Sequence, residues 1–199
     1  LRGLLIVIAN SSFFAAIAVV PLGEATAIFF AAPLLITLLS VPVLGERIGP
    51  VRLGAVLTGF AGVLIMQRPW VDAGNLGVSR IVLLLPLVAA SAYALQQVMT
   101  RRLGLASKAS ALAVYVQLVF VVVSLAVGVV AGDGKFAAGL ENPSLLFLLR
   151  PWVWPETDDI WRFLALGGNI AVVSYCISAA YRMANAGTLA PFEYAGLMM

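Results

Sequence analysis

Histidine is absent from the 199 residues, and cysteine occurs once, as Cys176. Without histidine there is no Ser-His-Asp or Cys-His catalytic pair and no imidazole-ligated metal. A single cysteine excludes an internal disulfide and a multi-cysteine metal site. No GxxxxGK[ST] loop occurs, which removes the usual cradle for ATP phosphates. Charge is also scarce. Nine acids and twelve bases make up 11% of the chain, against about 25% in soluble domains. The bases are scattered at segment ends, with no run of five or more, so nucleic acid is not an expected partner. No catalytic constellation is visible, no cofactor is expected, and the chain does not read as an enzyme.

What is present is apolar. Hydrophobic residues make up 62%, and the mean hydropathy is +1.05. So few charges could not cover the surface of a soluble fold of this size, and the long runs lack the amphipathic period of soluble helices. The fold class expected is an all-α polytopic membrane protein, with the lipid bilayer as its solvent. A bilayer core of about 30 Å needs about 20 apolar residues as helix. Six runs qualify or nearly do: Gly3 to Val20, Ala25 to Leu44, Val51 to Met66, Ile81 to Thr100, Ser110 to Val130 and Ile160 to Met183. A seventh begins near Thr188. The runs do not alternate apolar with polar, as membrane strands do. The chain lacks an initial Met and starts and stops within apolar runs, so it reads as a piece of a longer protein.

Lys and Arg in alternate connectors set the orientation. Arg2, Arg47, Arg52, Arg101, Arg102, Lys108 and Arg182 fall on one side, expected to be cytoplasmic. Arg68, Arg80, Lys135, Arg150 and Arg162 fall on the other. The outer connector from residue 131 to 159 carries "RPWVWPETDDIW", whose tryptophans suit a headgroup layer. In "PVLGERIGPVR", residues 42 to 52, Gly45 and Gly49 reverse the chain, and Pro50 opens the next helix. Arg47 and Arg52 hold this cytoplasmic turn inside. Glu46 either pairs with one of them or caps the next helix; a gating salt bridge is the alternative.

Residues 11 to 35 and 174 to 198 share a helix, short turn, helix pattern at an offset of 163, pairing Ser11 with Ser174 and Phe29 with Phe192 among others. Five helices separate the two units, and an odd number inverts the second across the membrane. Inverted repeats of this kind mark many secondary transporters, with the solute site at the repeat interface.

The stretch "ATAIFFAAPLLITLLSVPVLGERIGPVRLGAVLTGFAGVLIMQRP" resembles the EamA-type half-repeat of the drug/metabolite transporter superfamily. Pro33, Gly45, Glu46, Arg47, Gly54, Gly59 and Gly62 stand at the family's positions. "LAPFEYAGLM" resembles the start of the equivalent helix in the second half, where members often place a Glu. The resemblance implies a ten-helix fold of two inverted five-helix repeats, of which this chain holds about six full helices and part of a seventh. Residues 1–69 would close the first repeat, 70–80 form an external loop, and 81–199 open the second. It also implies a multi-pass protein of a bacterial inner membrane that moves a small-molecule substrate by alternating access.

Glu193 is the sharpest candidate: an ionisable group inside a membrane segment is costly and marks function by default. It can bind an amine group of a solute, carry a coupling proton, or simply pair with Arg182 or cap backbone N–H groups. Pro33 and Pro191 lie on related helices, where a missing N–H kinks the helix and frees a carbonyl. Asn10, Tyr93, Gln97, Gln117, Asn169 and Tyr175 are neutral polar residues in the runs, suited to lining a cavity or to gluing helices together. Small pairs four apart, Gly54 with Thr58, Ala55 with Gly59 and Thr58 with Gly62, predict a close-packing face or a homodimer interface. Cys176 is expected to be a small buried residue. The reading favoured is secondary-active transport of small organic metabolites. The alternative is a non-transporting integral membrane subunit that packs with partner proteins.

Overall fold

The computed structural model describes residues 1–67, 82, 84–104, 106–137 and 139–198. Among these, helices form the whole of the regular structure. In chain order they are α1 (Arg2–Ile17), α2 (Leu22–Phe29), α3 (Ala32–Leu44), α4 (Pro50–Gln67), α5 (Leu84–Gly104), α6 (Ala109–Ala131), α7 (Pro143–Leu149), α8 (Thr157–Met183) and α9 (Ala186–Leu189). A 3₁₀ stretch, Ala190–Met198, follows α9 directly. The external loop expected over residues 70–80 lies outside the described residues, as do Arg68 and Arg80.

The second apolar run does not form one straight helix. It breaks at Phe30 and Ala31, two residues before Pro33, which sits in the first turn of α3. Proline is tolerated in a first turn, where its missing N–H has no intrahelical partner to lose. Even so, Leu22–Leu44 is a 23-residue unit apolar enough to cross a membrane. Ala109–Ala131 and Thr157–Met183 meet the same condition. An all-α polytopic membrane protein is the architecture that results.

The end of α3 is set by Gly45, in the left-handed region at φ 69°. Its N–H donates to the carbonyl of Val41, and the N–H of Glu46 donates to that of Ser40. The Gly45 bond is that of the αL helix cap, and together the two bonds satisfy carbonyls that a helix end otherwise leaves unpaired. The Leu-Gly-Glu run is thus a stop signal that also aims Glu46.

α5 is the central helix and packs against α1, α2, α3 and α8. Its Ala89, Ala90, Ala92 and Ala94 are buried. Lipid tails are as apolar as leucine, so helices in a bilayer associate through close packing rather than by escape from solvent, and small residues permit it. The core cluster joins Ile36 of α3, Ala94 and Val98 of α5, Tyr181 of α8, and Ala186 and Ala190. α1 and α6 also approach closely at Gly3: a Cβ there would lie 2.6 Å from the Val119 side chain.

Several expectations are revised. The 131–159 connector contains α7, capped by the Asn142 side chain accepting from Ser144 N–H, and Ser144 Oγ donates to the Ala15 carbonyl of α1 at 2.7 Å. The close-packing face expected on α4 is partial. Gly59 lies against the Tyr194 ring, whereas Gly54 and Gly62 face open space. Cys176 is exposed rather than buried, because it stands on the outer face of α8. The last expected helix begins as α9 but continues as a 3₁₀ stretch around Pro191.

Candidate functional site

Of the cavities among the helices, one of about 650 Å³, mostly apolar, lies between α1, α5 and α6, and two others lie on either side of Tyr93. The larger, about 650 Å³, is bounded by α1, α5, α6 and α8. Its polar wall consists of Arg2, Asn10, Gln96, Gln97, Gln117, Asn169, Ser174 and Ser178 together with Tyr93. Ile6, Val116, Phe120 and Ile177 supply apolar wall between them. The smaller cavity, about 500 Å³, is lined by Phe29, Phe30, Pro33, Tyr181, Phe192 and Glu193 among others. Tyr93, Val173 and Ile177 border both.

Tyr93 is held from three directions. Its ring packs against Phe29 at 5.5 Å between centroids, and Phe29 in turn packs against Phe13 at 5.1 Å. Gln97 Nε2, one turn further along α5, donates to the Tyr93 hydroxyl at 2.6 Å. That hydroxyl lies 3.5 Å from Glu193 Oε1. Tyr181 donates to the same carboxylate oxygen at 2.6 Å. Glu193 is therefore tied to α5 and α8 through two phenols, and among the described residues neither Arg182 nor a backbone N–H is its partner. Next to it, the Tyr194 hydroxyl donates to the Phe30 carbonyl at the α2–α3 break, 3.1 Å away.

The residues singled out from sequence separate into groups. Asn10, Tyr93, Gln97 and Asn169 come together around the larger cavity, joined by Gln117. Asn10 donates from Nδ2 to the Ile6 carbonyl, which fixes its amide one turn along α1. Glu193 and Pro33 border the smaller cavity. Tyr175 lines neither; it is 51% exposed on the outside of α8. Its neighbour Ser174 faces the larger cavity instead. Pro191 is half-buried, one residue after the 3₁₀ stretch begins, and borders neither cavity.

The turn after α3 departs from expectation. Glu46 pairs with neither Arg47 nor Arg52, and it does not cap α4. Its two carboxylate oxygens accept from the backbone N–H groups of Ala186 and Gly187, each at 3.1 Å. It thereby caps α9, some 140 residues along the chain. Arg101 Nε stands 3.8 Å from Glu46 Oε1. The same guanidinium donates to the Arg182 carbonyl at 2.7 Å and to Asn185 Oδ1 at 3.0 Å. Arg47 is exposed and Arg52 half-buried.

Sequence reasoning passed over Arg2 and Gln96. Arg2 had the place of a connector charge, yet its side chain is buried. Nε donates to Thr100 Oγ1 at 2.8 Å, Nη1 to the Leu112 carbonyl at 2.7 Å, and Nη2 to Ser178 Oγ at 3.4 Å. The only local signal was its position one residue before an apolar run. Its partners lie on three other helices.

Apolar helices with polar side chains gathered on an internal cavity define an integral membrane protein with a polar interior face. Residues 1–68 match the EamA-like transporter family. Over 180 residues the chain is 31% identical to a riboflavin transporter of Vibrio cholerae, covering 89% of this chain and 52% of that protein. It is 30% identical over 175 residues to a riboflavin transporter of Brucella anthropi, covering 87% and 55%. It is 23% identical over 199 residues to an S-adenosylmethionine uptake transporter of Rickettsia prowazekii, covering 100% and 59%. The chain is an EamA-type member of the drug/metabolite transporter superfamily. It spans somewhat over half the length of these curated relatives. No solved structure matches it.

Proposed function

We propose that the complete protein is a secondary-active transporter of small organic metabolites in a bacterial inner membrane, built as two inverted five-helix repeats and not itself an enzyme. The observation that carries this reading is the cavity of about 650 Å³ whose polar wall lies inside a bundle of apolar helices. A cavity of this size suits a metabolite. Riboflavin and S-adenosylmethionine are the first solutes to test, since the relatives bear those names.

In this reading Asn10, Gln97 and Asn169 contact the solute, and Tyr93 divides its chamber from the smaller one. Glu193 carries the coupling proton, because its carboxylate borders the second chamber and its two phenolic partners can reorient as a proton arrives. The Glu46 contact with α9 holds a loop of the first repeat against the second and must break when the halves rock. Flux of labelled riboflavin and S-adenosylmethionine into proteoliposomes of the complete protein tests the reading. Saturable flux of either is expected, and Glu193→Gln should remove its dependence on pH. Wild-type flux at every pH in Glu193→Gln removes the coupling role.

A further inference from the structure

Arg2 borders the larger cavity beside Tyr93 and also the apolar cavity between α1, α5 and α6. Arg2 is 8% exposed, and no carboxylate among the described residues pairs with it. Its three partners are two hydroxyls and a backbone carbonyl, all neutral. Guanidinium carries five N–H groups. The three bonds use one on each nitrogen and leave one on each terminal nitrogen. Removing one partner of a buried pair is strongly destabilising because the charge left behind is uncompensated. Neutral acceptors offset that cost only in part.

The adjacent wall has the opposite deficiency. Gln96 and Gln97 are 5% and 2% exposed, and the Oε1 of each is buried without a donor. Buried polar atoms in native proteins nearly always have partners, so two orphans on one cavity wall call for an explanation. Both residues line the same cavity as Arg2. Arg2 and Asn10, both on its lining, are eight positions apart on α1, about 12 Å at helical rise. A cation with two spare N–H groups and two glutamines with orphan acceptors thus share one cavity lining.

The geometry points to Arg2 as the seat for an anionic group of the solute, a carboxylate or a phosphate, with Gln96 and Gln97 turning their now enclosed Oε1 atoms toward N–H or O–H donors of the same molecule. This inference rests on the transport reading above and specifies its cargo. The solute anion takes the two spare N–H groups and cancels the buried charge. Arginine suits this task because its planar fork matches carboxylate and phosphate oxygens. The contacts to Thr100, Leu112 and Ser178 hold the guanidinium in place before the solute arrives.

The test is equilibrium binding to the complete protein in detergent, using two probe pairs that each differ by one anionic group. One pair is riboflavin and riboflavin 5′-phosphate; the other is S-adenosylmethionine and its decarboxylated form. The anionic member of at least one pair should bind ten-fold tighter or more, and which pair responds separates phosphate from carboxylate. Arg2→Gln should bring that pair to within about three-fold. Arg2→Lys keeps the charge but loses the fork, so a reduced preference is expected; it serves if Arg2→Gln does not fold. A wild type with no anion preference in either pair, including failure to bind either anionic probe, overturns the inference. So does a preference that survives Arg2→Gln or is unchanged in Arg2→Lys. Flux measured on the same preparation keeps the two readings apart. Preference without flux removes transport and leaves Arg2 its role; flux without preference does the reverse.

Discussion

Glu46 Oε2 lies 3.1 Å from the backbone nitrogen of Gly187, and its other oxygen lies the same distance from that of Ala186. The loop between α3 and α4 therefore supplies the cap of α9, some 140 residues along the chain. Glu46→Ala leaves two N–H groups without their acceptor and removes the carboxylate that stands 3.8 Å from Arg101 Nε. Hydrogen bonds to a charged group contribute about 2 kcal/mol each, so the complete protein should unfold at clearly lower temperature in detergent. Glu46→Gln retains one acceptor oxygen and should lose about half as much. Equal melting temperatures for wild type and Glu46→Ala would show that the cap carries no stability.

Gly45 aims that carboxylate. Its φ of 69° is accessible to glycine at no steric cost, whereas an L side chain is strained there. Gly45→Ala should cost about 1 kcal/mol. Gly49, four residues on, also has open space at its Cβ position but no positive φ. Gly49→Ala is thus the matched control and should be near neutral. Thermal unfolding of both variants decides the matter, and equal losses would contradict the assignment of strain to Gly45 alone.

The Tyr181–Glu193 bond of 2.6 Å is the shortest contact of the acid. Tyr181→Phe leaves only the Tyr93 hydroxyl at 3.5 Å, and a buried acceptor deprived of its donor costs about 1–3 kcal/mol. A lower melting temperature together with an altered pH profile of flux is expected. A lower melting temperature with an unchanged profile would assign the bond to packing alone.

Much of this was legible in the sequence, for reasons that are local. Run length and the absence of charge give the spanning helices, and Leu-Gly-Glu followed by Gly-Pro gives the α3–α4 turn. The residues that failed are those whose role depends on distant partners. Glu46 lay in a readable motif, but its acceptors serve α9, which no local spacing predicts. Arg2 looked like a connector charge because Thr100, Leu112 and Ser178 are brought to it only by folding. Tyr175 and Ser174 were indistinguishable as polar residues in one apolar run, and the rotation of α8 alone selects Ser174. The N-P-S signature of α7, with Asn142 as cap and Pro143 in the first turn, was present and readable.

That selection is testable within one helix. Tyr175→Phe should leave solute binding and flux unchanged, since the side chain points away from both cavities. Asn169→Leu should weaken binding several-fold by removing a polar group from the larger cavity. Matching losses in both variants would mean that the outer face of α8 takes part.

The central claim, that the polar cavity beside Tyr93 holds the transported solute, is tested most directly by flux into proteoliposomes with the complete wild-type protein and its Gln97→Leu variant side by side. Gln97 is 2% exposed, lines the cavity and bonds to Tyr93. The account predicts saturable uptake of riboflavin or S-adenosylmethionine by the wild type, and at least ten-fold weaker uptake by a variant that still folds. Wild-type rates in folded Gln97→Leu protein, or no flux of either solute with the wild type, would contradict it.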